Sequence, residues 1–173
     1  MKALILIANN WFQDWEFYYP KTALENAWFD ITIASSKKWD CTSKLGKINA
    51  YADNTLDELK GDDYDIVVFV GWPWVVAEFN NDMNYIRIFE EAMKASVVGA
   101  ICIAPTVLSK SKFFDWKKVT WFDAWAWEQI NTIKNNWWIF TWEDVQVDWK
   151  FITANWPDAA EKFADKILEV YNS

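Results

Sequence analysis

The residues best suited to chemistry are one cysteine, one acid and a glycine-containing turn. Gly99-Ala100-Ile101-Cys102-Ile103-Ala104-Pro105 sets Cys102 between an apolar strand pattern and a helix start. A thiol on such a strand-to-helix turn stands at the carboxyl end of a sheet, where the positive end of a following helix favours thiolate. The arrangement is that of a nucleophile elbow. Taken alone, Ala-Ile-Cys-Ile suits a buried, inert cysteine as well. The segment Asn9-Asn10-Trp11-Phe12-Gln13-Asp14-Trp15-Glu16 follows the first apolar run, whose strand lies beside the cysteine's in many open α/β sheets. Ligands bind such sheets at this end, where the strand order reverses. A carboxylate there, Glu16 or Asp14, could share a proton with the thiol. The plainer reading is a solvated acid on the first turn of a helix, stabilised by the dipole, and it fits Asp14 better than Glu16. Phe69-Val70-Gly71-Trp72-Pro73-Trp74 again lies just past a strand, and backbone N–H groups in such a turn can cradle an oxyanion.

The elements that must hold these residues are legible as alternating strand and helix patterns, which argue for a parallel sheet with helices on both faces. Ala3–Ala8, Phe29–Ala34, Asp65–Val70 and Val97–Ile103 read as strands. Asp14–Ala27 reads as a helix with Phe17, Leu24 and Ala27 near one face, and Asp82–Lys94 as another with Ile86, Phe89 and Met93 inward. Cys41–Leu45 and Lys47–Ala50 form a hairpin around Gly46, which leaves Cys41 exposed or half-buried. Ala104–Lys110 starts a short helix, 138–153 reads as a late hairpin, and Pro157–Tyr171 closes the chain as a helix with proline in its first turn. No repeat, linker or low-complexity tract divides residues 1–173, so one domain is expected.

Bulk properties narrow the function. Asp and Glu outnumber Lys and Arg by 25 to 17, a formal net charge of −8. With no basic cluster, a nucleic-acid partner is not expected. The apolar run at the N-terminus is too short for a membrane span and lacks a small-residue cleavage site. Two cysteines, Cys41 and Cys102, read as free thiols of a cytoplasmic protein. The sequence has no histidine, which removes the commonest general base and the commonest metal ligand; no metal or cofactor is expected.

Tryptophan is the anomaly: 15 residues, against four glycines. Ordinary glycine usage of about 7% would give roughly a dozen. Several tryptophans stand where turn chemistry asks for glycine. Asp148-Trp149, Asp115-Trp116 and Asn155-Trp156 take the place of Asp-Gly or Asn-Gly turns, Trp28 follows a helix end, and Trp39 sits in the polar turn Lys37-Lys38-Trp39-Asp40. A bulky residue in the left-handed region costs roughly 1–2 kcal/mol. Scatter over separate connections argues against one aromatic binding face. The expectation is that many replace glycines, with glycine-like dihedrals at Trp28, Trp116 and Trp149.

Taken in order, the first strand with Ala8-Asn9-Asn10-Trp11-Phe12-Gln13-Asp14-Trp15-Glu16, Val70-Gly71-Trp72-Pro73, Ala100-Ile101-Cys102-Ile103-Ala104-Pro105, and Val147-Asp148-Trp149-Lys150-Phe151-Ile152-Thr153-Ala154-Asn155 before a final helix form a pattern. It resembles the PfpI/DJ-one superfamily, class I glutamine amidotransferase-like, over nearly the whole chain. The resemblance implies a flavodoxin-like three-layer sandwich, mostly parallel, that assembles as a homodimer or higher homo-oligomer. Its members include intracellular proteases, glyoxalases and deglycases, chaperones and redox sensors. It also implies that Cys102 is the reactive residue, that Glu16 is the acid hydrogen-bonded to it, and that Gly71, Trp72 and Ile103 supply backbone donors.

Two departures qualify this. Protease-like members carry a histidine directly after the cysteine, where this chain has Ile103, so peptidase activity is not expected. The family's glycine pair is Gly71-Trp72 here, so an indole is expected to stand in the pocket. Three functions stay open: a glyoxalase- or deglycase-like enzyme acting on small aldehydes through Cys102 and Glu16, a redox or stress protein whose partner is an oxidant, and a silent member with Cys102 blocked by Trp72 or Trp74.

Overall fold

The computed structural model describes residues 1–122 and 138–173. In chain order the elements are β1 (Lys2–Leu6), β2 (Asn10–Phe12), α1 (Asp14–Asn26), β3 (Asp30–Ser35), β4 (Asp40–Ser43), β5 (Asn49–Tyr51), β6 (Asn54–Thr55), β7 (Ile66–Phe69), α2 (Pro73–Phe79), α3 (Met83–Ala95), β8 (Val97–Ile101), α4 (Ala104–Leu108), β9 (Lys118–Val119), β10 (Ile139–Phe140), β11 (Val145–Asp148), β12 (Phe151–Ala154) and α5 (Ala160–Tyr171). Seven strands form the central sheet in the order β11-β12-β8-β7-β1-β3-β6. All neighbours run parallel except β11, which pairs antiparallel with β12. This is the mostly parallel sheet, covered by helices on both faces, that the alternation of elements argues for, and the flavodoxin-like sandwich that the family resemblance implies.

The central strands are apolar throughout because both faces are covered. In β1, Leu4 and Leu6 face a cluster with Val75, Phe79, Phe89 and Val107 from α2, α3 and α4. Ala3 and Ile5 face the opposite cluster, with Phe17 and Leu24 of α1 and Phe163 and Ile167 of α5. Strand geometry turns alternate residues to opposite faces. Gly99 in β8 marks where α5 comes close: a Cβ there would lie 2.6 Å from Ile167 Cδ1.

From β1 the chain steps to β3 on one side, then returns to lay β7 on the other. The strand order therefore reverses between β1 and β7, and the segments after those strands meet over a crevice at the carboxyl end. β4 and β5 form the expected hairpin, with Gly46 at φ 64° in its turn, and β2 joins it. Two expectations are corrected here. Cys41 is fully buried, because the alternation Asp40-Cys41-Thr42-Ser43 turns Cys41 and Ser43 inward. β1 does not lie beside the cysteine's strand, since β7 pairs with both β1 and β8.

Candidate functional site

Cys102 follows β8 directly and has φ 61°, the left-handed region that L-residues rarely occupy. Two backbone hydrogen bonds hold it there: Cys102 N donates to Ala154 O (2.9 Å), and Phe122 N donates to Cys102 O (2.9 Å). Strained backbone of this kind persists only where the surroundings over-determine it, and it clusters at functional sites.

Glu16 comes from the first turn of α1. Its backbone N–H donates to the Gln13 side chain that caps the helix (2.9 Å). The carboxyl group is fully buried. Oε2 accepts a hydrogen bond from Gly71 N (3.1 Å), Oε1 has no hydrogen-bond partner among the described groups, and the carboxyl group interacts with the Cys102 thiol. A glycine at position 71 makes the meeting possible. A Cβ there would stand 2.6 Å from Cys102 Cβ and 3.0 Å from Glu16 Oε2. The missing side chain lets Glu16 reach past β7 to the thiol.

The predicted donors divide between two acceptors. The Trp72 and Ile103 N–H groups lie on Cys102, whereas the Gly71 N–H is committed to Glu16. Trp72 has φ 105° and ψ 149° at the start of α2. Its indole is half-buried, and Lys44 Nζ lies 3.7 Å from the ring centroid. Trp74 is on the rim and packs edge-on against Trp11, with ring centroids 5.6 Å apart.

Burial governs the charges. It pushes the Glu16 carboxyl up to about 8, against which Cys102, the Gly71 N–H and the Lys44 charge act in the opposite direction. Burial also raises the Cys102 thiol well above its ordinary value, and the neighbouring Glu16 charge adds to this. The expectation that a helix start would favour thiolate is therefore overturned: α4 has only five residues, and a fully buried sulfur loses more by desolvation. At neutral pH the pair is a thiol beside a protonated acid.

Asp14 is also corrected. It is fully buried rather than solvated, and accepts hydrogen bonds from Ser43 Oγ (2.6 Å) and Leu45 N (3.0 Å). It pins the β4–β5 turn on either side of Lys44. Neither Lys44 nor this role of Asp14 was singled out in the sequence, since both residues read as ordinary surface charge. A cavity of about 550 Å³ bounded by Thr120, Phe122, Trp142, Asn155, Trp156 and Lys162 takes in neither Cys102 nor Glu16, although its Phe122 is the residue that donates to Cys102 O.

The fold and the strained cysteine over an acid define a doubly wound α/β protein with its site at the switch-point end of the sheet. The model of the DJ-1/PfpI family matches residues 1–170, and the chain belongs to that family. An uncharacterised protein of Methanocaldococcus jannaschii is 31% identical over 169 residues, 97% of this chain and 81% of that one. Protein dj-1beta of Drosophila melanogaster is 25% identical over 170 residues, 96% of this chain and 87% of that one. Among solved structures, a ThiJ/PfpI domain protein from Brachyspira murdochii matches with a TM-score of 0.86 at 23% identity, covering 99% of this chain and 96% of that one. DJ-1 of Schizosaccharomyces pombe matches with a TM-score of 0.82 at 19% identity, covering 99% and 95%. These two likenesses concern the fold. No described helix is long and apolar enough to cross a membrane.

Proposed function

We propose that Cys102 is a nucleophile for small aldehydes and that Glu16 carries its protons. One observation supports this above the others: the fully buried Glu16 carboxyl faces the Cys102 thiol, and burial pushes it up to about 8. Sulfur adds to the aldehyde carbon while one carboxyl oxygen gives its proton to the carbonyl oxygen and the other takes the thiol proton. The product is a hemithioacetal, and Glu16 ends as it began. The Trp72 and Ile103 N–H groups, now on sulfur, stand close enough to steady the developing alkoxide. With a 2-oxoaldehyde the hydrogen on the former aldehyde carbon moves to the adjacent carbon, giving a thioester. Water cleaves it to the 2-hydroxy acid and frees the thiol. No outside reductant or oxidant is needed.

A redox role is the second reading, and the same neutral Glu16 favours it. Hydrogen peroxide would oxidise the thiol to sulfenic acid with release of water, and a second equivalent would give the sulfinate, to which Glu16 donates a hydrogen bond. Neither route needs a histidine. In the third reading the indole of Trp72 keeps the buried thiol silent. The proposal includes a reducing cytoplasm, where Cys41 and Cys102 stay free, and, on family resemblance, a second copy of the chain as partner.

Repeated consumption of methylglyoxal, lost in Cys102→Ser, is the expected result. One reaction per thiol with peroxide and no aldehyde turnover would replace the first reading by the second. No reaction with either would leave the silent form.

A further inference from the structure

Seven described residues other than glycine have positive φ, and six of them are tryptophan: Trp11 (60°), Trp28 (63°), Trp72 (105°), Trp116 (67°), Trp142 (62°) and Trp149 (56°). Trp125, Trp127 and Trp137 lie outside the described residues, so half of the described tryptophans adopt a conformation found in only a few per cent of non-glycine residues. Asparagine and aspartate tolerate it best among L-residues, yet none of those described here adopts it. Trp72, at φ 105° and ψ 149°, approaches a region that is essentially glycine's alone.

The local hydrogen bonds are those of glycine motifs. At the end of α1, Trp28 N donates to Glu25 O (3.0 Å) and Phe29 N donates to Leu24 O (3.0 Å). That is a Schellman motif with Trp28 at the position normally held by glycine. In the β11–β12 hairpin Asp148 pairs with Phe151, leaving Trp149-Lys150 as a two-residue loop with positive φ at its first residue only. That is a type II′ turn, whose first central residue is glycine. The side chains contribute little to the core: Trp28 is 88% exposed and Trp149 64%. The glycines that are present do other work. Gly61, Gly71 and Gly99 sit where a Cβ would meet an atom at 2.0, 2.5 and 2.6 Å respectively, and Gly46 has φ 64°.

We infer that these six positions are glycine sites, and that the cell making this protein inserts glycine there by reading the codon UGA as glycine. UGA is the codon that genetic codes variously assign to stop, tryptophan or glycine. A gene that spells glycine with UGA, read with tryptophan at UGA, exchanges one residue type for one other at unrelated turns. It accounts for the surplus of tryptophan and the shortage of glycine together. For the site, the natural turn after β7 is then a glycine pair with no indole beside Cys102. This inference does not depend on the aldehyde chemistry proposed above.

The test is to sequence the gene and to map the protein isolated from its source by tandem mass spectrometry. The expected result is UGA at all six codons and peptides carrying glycine there. UGG codons, or peptides with intact indoles, would overturn the decoding. A second measurement addresses the backbone directly, in recombinant protein carrying tryptophan as written. Trp28→Gly and Trp149→Gly should each raise Tm by about 2–4 °C, while Trp15→Gly, inside α1, should lower it. A fall in Tm at Trp28 and Trp149 would overturn the assignment of glycine sites.

Discussion

Cys102 and Cys41 are equally buried, yet they occupy sites of different kinds. Cys41 lies in a regular strand, where Asn9 Nδ2 donates to its sulfur (3.6 Å) and the sulfur donates to Trp39 O (3.6 Å). Burial raises its pKa, and only polar groups and the more remote charge of Glu78 modify that. Cys102 stands at φ 61° between a strand and a helix, against a fully buried acid. Burial alone therefore does not mark a reactive thiol. On the proposed function, strained backbone joined to a proton-carrying partner is what separates Cys102 from Cys41, and substitutions at the two cysteines should separate sharply.

The largest separation is expected from removing each sulfur. Cys102→Ser should reduce methylglyoxal consumption to the uncatalysed rate, while Cys41→Ser leaves kcat/KM unchanged; equal losses would erase the distinction. Next comes Glu16→Gln, which should lower kcat/KM by about 10²–10⁴-fold. The same variant has a stability signature. The folded carboxyl titrates near 8, against an ordinary 4.5, so the folded state holds the proton more tightly. Its favourable contribution is complete below about pH 4.5 and is lost as pH rises through 8, by roughly 5 kcal/mol in all. Denaturant titrations from pH 4 to 9 should show that decline in the parent chain and not in Glu16→Gln.

Trp72→Gly should raise the alkylation rate of Cys102 severalfold and leave Cys41 unchanged, as read by mass-resolved labelling. An equal rise at both thiols would point to general loosening instead. The smallest effect is expected at Asp14→Ala, which strands the Ser43 hydroxyl and the Leu45 N–H. It should cost about 1–3 kcal/mol in denaturant unfolding.

The sequence carried the apolar scaffold well. Runs such as Ile66–Phe69 and Val97–Ile101 are buried on both faces and leave no polar ambiguity, and Asp82 caps α3 as its type suggests. Helix α2 was hidden because Trp72-Pro73-Trp74 reads as a turn, whereas Pro73 sits at the first helical position. The pairing of β9 with β10 rests on two residues in each, too short for a pattern. At the site, Cys102 stood out by its place after a strand, whereas place alone left Glu16 and Asp14 both open and the family resemblance pointed to Glu16. The burial of Asp14 was not, because it depends on a hairpin 29 residues away folding over the start of α1. Trp116 and Trp149 could be picked out by the aspartates before them, and Trp28 by the helix end it follows. Trp72 and Trp142 follow Gly71 and Thr141 and lack that signature, whereas Trp11, after Asn10, shares it; so does Trp156, which adopts φ −149°. Proline at position 157 favours extended backbone in the residue before it.

The central claim is that the Cys102 thiol and the Glu16 carboxyl titrate as one site. Its most direct test is the pH dependence of Cys102 alkylation in a Cys41→Ser background, with and without Glu16→Gln. The Glu16 charge holds the thiol up, so its removal should move the alkylation profile to lower pH. Superimposable profiles would contradict the coupling and leave Cys102 a buried cysteine on a strained turn.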